Sequence, residues 1–144
     1  MRAANPWASY RQVATQTASA AQLVLMLFDG AIRFLERAST GFGLEDPAES
    51  NQLISNNLLR AQAIIHELNV SLNVEQGGQF ADTLRQLYNY FDRRLTHSNR
   101  TKTPDGIIEV IGRLTVLRDA WAQMLQNQAE GTAVSDPASQ LLAA

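Results

Sequence analysis

The two histidines are the residues of this sequence whose chemistry could most directly serve a metal ion or an acid–base step. Neither His66 nor His97 has a carboxylate three residues before it, because Ala63 and Arg94 occupy those positions. The Glu-x-x-His pattern by which helical bundles bind paired metal ions is therefore absent. Glu67 follows His66, but neighbouring helical residues point about 100° apart and share a metal poorly. The spacing predicts structural histidines, no metal site and no cofactor.

Other patterns associated with catalysis are missing or weak. The 144 residues include no cysteine, which removes thiol nucleophiles, disulfides and thiolate metal sites. The Gly77-Gly78 pair stands alone and is typical of a turn rather than of a phosphate-binding loop. No Ser-His-acid spacing is evident, although a triad assembled from distant residues would leave none. We therefore expect a protein that is not an enzyme.

One stretch combines basic and aromatic residues as nucleic-acid-binding proteins do, so that bases stack while cations hold phosphates. It contains Tyr88, Tyr90, Phe91, Arg93 and Arg94. The same region also carries acidic residues, and the whole chain has a net charge of −2 and a pI near 5.6. A dedicated nucleic-acid binder usually shows a strong basic excess. The charge balance therefore predicts no nucleic-acid partner.

Four helical patterns would position these residues. Their start signals are a capping box at Ser19-Ala20-Ala21-Gln22, a proline at the first helical position in Asp46-Pro47, a break at Gly77-Gly78 and a cap at Thr103-Pro104. The predicted helices cover 20–40, 47–72, 79–100 and 104–129. Apolar residues three and four apart, with short connections and no strand-like alternation, predict an all-α, antiparallel up-down four-helix bundle.

The length suits one compact domain. Residues 18–130 are predicted to form the bundle, preceded by an extended N-terminal arm at 1–17 and followed by a flexible tail at 131–144. The start of the chain lacks an apolar run of the length found in secretory signals, roughly 7–15 residues. No apolar run approaches the ~20 residues of a membrane span. We expect a cytoplasmic protein without membrane insertion.

Charged residues form 18% of the chain, against about 25% in a typical soluble domain. In the first helix, a second apolar stripe accompanies the expected one and consists of Leu25, Phe28, Ile32 and Leu35. A surface helix needs an apolar face on one side only. The second stripe could be covered by a central position in the bundle, by the N-terminal arm, by a second copy of the chain or by a partner.

The first half of the second helix has no charged residue between Ser50 and Leu59. Its polar residues are Asn51, Gln52, Ser55, Asn56 and Asn57. Asparagine forms helices less well than the charged residues usual on a solvated face. Amides can hydrogen-bond a partner without the desolvation cost of ions. This face is either a partner surface or an ordinary surface shaped by sequence drift.

Five motifs resemble the flagellar secretion chaperone FliS family. They are Leu23-Val24-Leu25-Met26-Leu27-Phe28-Asp29-Gly30-Ala31, the Asn5-Pro6-Trp7 segment with Tyr10, Ala61-Gln62-Ala63-Ile64-Ile65-His66-Glu67-Leu68-Asn69, Leu87-Tyr88-Asn89-Tyr90 with Arg93-Arg94-Leu95, and Leu117-Arg118-Asp119-Ala120-Trp121. Along the chain, the five motifs occur in the same order as in the family. Ala20 departs from it where many members have proline, and Asn89 departs where aspartate is usual.

The resemblance implies a four-helix bundle that binds the C-terminal segment of newly made flagellin in the bacterial cytoplasm. It also implies that the chain prevents early polymerisation and assists delivery to the flagellar type III export gate. The family's apolar grooves are covered by its own N-terminal arm or by a symmetry mate until flagellin displaces them. A helical homodimeric adaptor without flagellin binding is the alternative, and a homodimer in the free state fits both.

The residues expected to bind flagellin, or to latch the arm over the same groove, come from the arm, the second stripe of the first helix and the amide-rich face of the second. They are Trp7, Tyr10, Leu25, Phe28, Ile32, Leu35, Asn51, Ser55, Asn56 and Leu59.

Overall fold

The computed structural model describes residues 19–72 and 74–131, and within these ranges it contains four α-helices and no strand. The helices are α1 (Ala20–Thr40), α2 (Pro47–Val70), α3 (Val74–Thr101) and α4 (Asp105–Ala129), with a 3₁₀ turn at Gly41–Gly43. The predicted all-α fold class is confirmed. The arm at 1–17 and nearly all of the tail at 131–144 lie outside the described residues.

The helix starts show which local signals determined the structure. Ser19 caps α1: its Oγ accepts from the Gln22 backbone N–H at 3.2 Å, and the Gln22 side chain accepts from the Ser19 N–H at 3.3 Å. The predicted capping box is therefore confirmed. Asp46 caps α2 by accepting from the Glu49 N–H at 3.4 Å, with Pro47 at the first helical position. Such caps stabilise a helix by about 1 kcal/mol each.

The third and fourth helices begin differently from the sequence prediction. Helix α3 starts at Val74, but Gly78 interrupts it with φ 59° and ψ −134°, a left-handed φ that glycine adopts without a steric penalty. The predicted break is thus a kink inside α3. At α4 the predicted Thr103 cap is wrong. Pro104 occupies the cap position without a side-chain hydrogen bond, and the Thr103 hydroxyl bonds to that of Thr101.

The helices form a closed ring in which each packs on its sequence neighbours and α1 also packs on α4. Hydrogen bonds between α2 and α3 show the antiparallel direction. Gln62 donates to the Thr96 hydroxyl at 2.9 Å, and Asn69, two turns later, donates to Asn89, two turns earlier. Short connections require this arrangement, because a chain that turns in a few residues must return alongside itself.

The face of α1 that enters the core is one broad stripe rather than two. It consists of Val24, Leu27, Phe28, Ala31, Leu35 and Ala38, all buried. Phe28 and Leu35, which the sequence assigned to the second stripe, are therefore part of this buried face. Leu25 and Ile32, the other two residues of that stripe, form a half-buried flank beside it. Because α1 packs on both α2 and α4, a wide apolar face is needed. The position of α1 in the bundle covers much of the second stripe.

Candidate partner-binding cleft

An apolar cleft of about 200 Å³ opens at the end of the bundle where α1 and α3 begin and α2 and α4 end. All four helices contribute to it. Its lining residues are Val24, Phe28, Leu68, Ser71, Leu72, Phe80, Leu84, Tyr88, Leu117, Ala120, Trp121 and Met124. None of these described lining residues carries a charge. Such a surface can take apolar side chains of a partner.

The cleft has a buried floor and an exposed rim. Phe28, Tyr88 and Trp121 are buried and belong to the floor. On the rim, Phe80 is 53% exposed, although a free phenyl ring normally finds a buried position. Phe80 comes two residues after the kink at Gly78, which sets the direction from which α3 reaches the cleft. An exposed aromatic ring beside an open apolar floor is a typical docking feature.

Trp121 joins the last turns of α4 to the first turn of α1. Its indole Nε1–H donates to the Ala21 carbonyl oxygen at 2.7 Å. This bond satisfies the polar atom of the ring, so the apolar remainder can line the cleft at no hydrogen-bonding cost. The bond also holds the beginning of α1 at the cleft.

Tyr88 is the titratable residue of the cleft lining, and burial raises the pKa of its phenol well above the ordinary value of 10.0. Taking the phenolate out of water disfavours the charged form. Tyr88 therefore stays neutral at physiological pH, and the cleft keeps its apolar character. Its ring also packs beside Phe91 of the core, with ring centroids 6.4 Å apart.

The structure divides the predicted residues of α1 between core, cleft and flank. Phe28 lies on the cleft floor, as a groove residue should. Leu35 is fully buried inside the bundle and presents no surface to a partner, so we assign it no part in the site. Leu25 and Ile32 are half-buried on the side of α1 that carries Asp29. Asp29 forms an ion pair with Arg118 of α4 at 2.8 Å, which places this flank at the α1–α4 interface.

The predicted residues of α2 lie elsewhere. Ser55 is half-buried between α2 and α3, where its Oγ accepts from Asn99 at 3.4 Å, and Leu59 beside it is 57% exposed. Both line a shallow groove between α2 and α3. Asn51 and Asn56 are exposed. The α1–α4 and α2–α3 interfaces lie on opposite sides of the ring. The predicted site residues of α1 and those of α2 therefore do not line one common groove.

The remaining predicted site residues, Trp7 and Tyr10, lie outside the described residues. Conversely, the sequence did not mark Phe80, Leu84 and Trp121 as cleft-lining residues, because their spacing is that of ordinary core residues. The glycine pair just before Phe80 was the one local signal that packing changes at this point. Four helix ends meeting around an open space is a tertiary feature that helical spacing does not encode.

Among the described residues, no three histidine, aspartate or glutamate side chains lie close enough together to hold a metal ion. The helices of the described ranges are too short or too polar to cross a lipid bilayer.

Comparison with known proteins gives concordant matches. The family model described as "Flagellar protein FliS" matches residues 3–128. A flagellar secretion chaperone FliS from Bacillus subtilis is 34% identical over 124 residues, which cover 86% of this chain and 89% of the relative. Its namesake from Salmonella typhimurium is 35% identical over 120 residues, or 81% and 87% of the two chains. That of Escherichia coli is 35% identical over 130 residues, or 87% and 93%.

Proposed function

The chain belongs to the FliS family of flagellar secretion chaperones, and we propose that it binds the C-terminal segment of flagellin in the bacterial cytoplasm. In this proposal it keeps flagellin from polymerising early and delivers it to the flagellar type III export apparatus. The observation that carries the proposal is the uncharged cleft with the half-exposed Phe80 on its rim. A chaperone role also fits the expectation that the chain is not an enzyme.

The cleft matches the energetic needs of a partner that folds on binding. Ordering a disordered segment consumes several kcal/mol of the interaction energy. Apolar burial can offset this at ~25 cal/mol per Å², provided that the partner presents apolar anchors at helical spacing. Phe80, Leu72 and Met124 at the rim can each bury apolar surface against such anchors without any ion being desolvated.

The positions of the other predicted residues favour a partner that wraps around the bundle. Ile32 and Leu59 lie at opposite interfaces of the ring, so a single helix in a single groove cannot touch both. A long segment that enters the cleft and continues around the helices can. The amides of Asn51 and Asn56 would then meet the backbone of the segment at its far end.

We further propose that the N-terminal arm closes the cleft in the free protein. Eight residues lie between Tyr10 and Ser19, and a fully extended chain over that interval spans at most ~30 Å. The cleft lies within this reach because Val24, near its floor, is only five residues beyond Ser19. Trp7 and Tyr10 could fill the space that a flagellin anchor later takes. Displacing them would give the chaperone a reversible latch.

Titration calorimetry of the full chain with a peptide of the flagellin C-terminal segment tests the binding proposal. We expect one peptide per chain and a negative heat-capacity change, the signature of apolar burial. A peptide from the flagellin N-terminal segment is the matched control. Absence of binding to the C-terminal peptide would refute the proposal. A stable dimer of the chain that the peptide leaves unchanged would favour the homodimeric adaptor.

Two further measurements address the later steps. Light scattering of flagellin under polymerising conditions should show a delay that grows with the amount of chaperone added. In cells, deletion of the gene should lower secreted flagellin while leaving flagellin synthesis intact. If the chaperone binds flagellin but secretion is unaffected by the deletion, the delivery part of the proposal is wrong.

A further inference from the structure

We infer that the stretch of the flagellin segment that lies on the amide-rich face of α2 is acidic, and that four cations beside this face bind its carboxylates. The inference rests on the proposed function and names the chemistry of the segment beyond the cleft. The face consists of Asn51, Gln52, Ser55 and Asn56, with Leu59 at its edge. The cations are Arg37 of α1, Arg60 of α2, Arg100 of α3 and Lys102 directly after α3.

The amide-rich face lies away from the cleft. Leu59 comes nine residues before Leu68, which lines the cleft, so the two are ~14 Å apart along the axis of α2. Asn56 and Arg60 are exposed and stand about one turn apart on the outer side of the helix. Leu59 points about 100° away from Arg60, toward the groove between α2 and α3.

Carboxylates are missing from the two stretches of chain that meet at this groove. Residues 50–66 of α2 contain Arg60 and no aspartate or glutamate. Residues 93–104, at the end of α3 and after it, contain four cations and no acid. Gln62 donates to the Thr96 hydroxyl at 2.9 Å, so the two stretches face each other. In a chain with a net charge of −2, they form a local excess of positive charge.

Acidic residues border this surface but do not line the groove. Asp92, whose carboxylate accepts from Gln62 at 3.0 Å, marks the boundary toward the cleft. Glu49 precedes the acid-free stretch of α2 at the opposite end. Arg94 is the cation that is already neutralised, because it pairs with Glu109 of α4 at 2.8 Å on the other side of α3.

The four cations beside the face form no ion pair with a described residue. The guanidinium carbons of Arg37 and Arg60 lie over the Phe34 ring, 5.9 and 5.8 Å from its centroid. A phenyl ring attracts these cations without neutralising them. Two guanidinium groups held at one ring therefore remain able to bind a carboxylate, for which their planar shape is suited.

The cations at the end of α3 also contact neutral groups. Arg100 contacts a ring nitrogen of His97 at 3.3 Å, and the Lys102 ammonium donates to the Asn99 carbonyl at 2.8 Å. Cations near a helix C-terminus interact favourably with the helix dipole, which gives Arg100 and Lys102 a role in the fold itself. Arg60 lies in the middle of α2, and the dipole does not account for it.

A peptide that carries carboxylates fits the chemistry of this surface. The groove between α2 and α3 has a volume of about 320 Å³, and its polar lining includes the side chains of Ser55, Gln62, Thr96 and Asn99. Peptide N–H and C=O groups can bond to these side chains, while carboxylates meet the cations and an apolar side chain meets Leu59. Complementary charges of this kind guide association and fix the register of a bound segment.

The first test measures how salt affects binding of the flagellin C-terminal peptide to the full chain. The uncharged cleft alone predicts an affinity that salt hardly weakens. The cationic surface predicts that the affinity falls about fivefold or more between ~0.05 and ~0.5 M NaCl, since exposed charges are screened. Calorimetry at both salt concentrations distinguishes the two. Binding of the peptide with an affinity that salt does not lower would overturn the inference.

The second test locates the charges on the chain. Arg60→Gln and Arg100→Gln should each weaken peptide binding about two- to fivefold at low salt, the scale of an exposed ion pair, and have little effect at high salt. Arg60→Lys keeps the charge and should bind nearly as the unmodified chain does. Arg113→Gln makes the same change of net charge on α4, which does not pack on α2, and is the control. Melting temperatures verify that each variant is folded.

The third test locates the charges on the partner. The same peptide with every aspartate and glutamate replaced by asparagine and glutamine should bind the unmodified chain more weakly. With this neutral peptide, Arg60→Gln and Arg100→Gln should cost nothing further, because a double-mutant cycle isolates the interaction between the exchanged groups. If the losses caused by the two variants are the same for both peptides, the cations do not bind carboxylates of the segment and the inference is wrong.

The outcomes separate this inference from the proposed function. If the peptide binds and neither salt nor the variants matter, the inference fails while the function stands. If the unmodified chain does not bind the peptide, both fail together. Suppose instead that Arg100→Gln leaves peptide affinity intact but abolishes binding of the chain to phosphatidylglycerol vesicles, or its self-association. The occupant is then a membrane or a second copy, and the inference is overturned.

Discussion

Gly106 of α4 packs directly on Ser98 of α3. A β-carbon on Gly106 would lie 2.3 Å from the Ser98 Oγ and 2.9 Å from the carbonyl oxygen of Arg94. The Ser98 side chain is fully buried at this crossing, and its hydroxyl finds no hydrogen-bond partner in the described part of the chain. The two helices therefore approach each other as closely as backbone and a small side chain allow.

The contact predicts that Gly106→Ala destabilises the protein. The added methyl must push α4 away from a backbone carbonyl, which is costly in a packed core, so we expect the free energy of unfolding to fall by about 1–3 kcal/mol. Gly112→Ala, on the same helix but in open space, should raise it by up to ~1 kcal/mol. Urea denaturation of both variants gives the comparison. Equal effects at the two positions would contradict the close α3–α4 crossing.

A second prediction concerns Glu109, which holds the outer side of the same helix pair together. Its carboxylate accepts from the Tyr90 hydroxyl at 2.7 Å and pairs with Arg94 at 2.8 Å and Arg113 at 3.1 Å. The Tyr90 hydrogen bond, followed by the arginines, lowers the pKa of Glu109 below its ordinary value of 4.5. A carboxylate with a lowered pKa stabilises the fold above the ordinary value and loses that contribution as the pH falls through the folded-state pKa.

Glu109→Gln should therefore lower the free energy of unfolding at neutral pH, and its difference from the unmodified chain should shrink as the pH falls below 4.5. Urea denaturation at a series of pH values measures this. Glu36→Gln is the control, because Glu36 is exposed and forms no ion pair with another described residue. Exposed charges contribute little to stability. A constant difference for Glu109→Gln at every pH would contradict the prediction.

The third prediction addresses the arm. If Tyr10 belongs to the flagellin site or to the latch, Tyr10→Ala should change peptide affinity, or the kinetics of arm displacement, by about 1–3 kcal/mol, the scale of an aromatic hot spot. Calorimetry gives the equilibrium part and stopped-flow fluorescence of peptide binding gives the kinetic part. Unchanged affinity together with unchanged kinetics would remove Tyr10 from the site.

The fourth prediction separates two neighbouring asparagines. Both residues belong to the amide-rich stretch of α2, but only Asn56 lies at the surface. Asn57 is only 5% exposed, and its Nδ2 donates to the Leu53 carbonyl at 2.8 Å. Asn57→Glu would bury a charge and should destabilise the bundle. Asn56 is exposed, so Asn56→Glu should preserve the melting temperature and, if this face touches flagellin, weaken peptide binding.

The features that were predictable from sequence are those determined by a few adjacent residues. The capping box at Ser19 and Gln22 depends on backbone and side chains within one turn, and it forms as expected. The break at Gly78 depends on one residue's φ. Thr103 does not cap α4, because its hydroxyl forms a hydrogen bond with the Thr101 hydroxyl instead. Composition does not reveal which of these local partners a hydroxyl will bond to.

The features that were not predictable depend on how the helices are arranged around the bundle. The three-and-four spacing of α3 predicts Phe80 in the core together with Phe91, but Phe91 is buried while Phe80 is 53% exposed at the rim of the cleft. The sequence also named Ile32 and Leu59 as residues of one binding site without revealing that opposite interfaces of the ring separate them. Which helix neighbours which is decided by packing, and periodicity describes one helix at a time.

The final prediction sets the cleft against the groove between α2 and α3. Phe80 and Leu59 are similarly exposed, at 53% and 57%, so truncating either to alanine removes little buried area and should leave the fold intact. If the cleft is the main anchor site, Phe80→Ala should weaken binding of the flagellin C-terminal peptide by about 1–3 kcal/mol, as a central aromatic anchor does. Leu59→Ala should weaken peptide binding clearly less, because its groove is shallow and lined by polar residues.

Leu44→Ala, at another exposed apolar residue away from both sites, is the control for nonspecific effects. Calorimetry on the three variants decides the matter. A large loss for Leu59→Ala with none for Phe80→Ala, at unchanged melting temperatures of both variants, would move the anchor site to the α2–α3 groove.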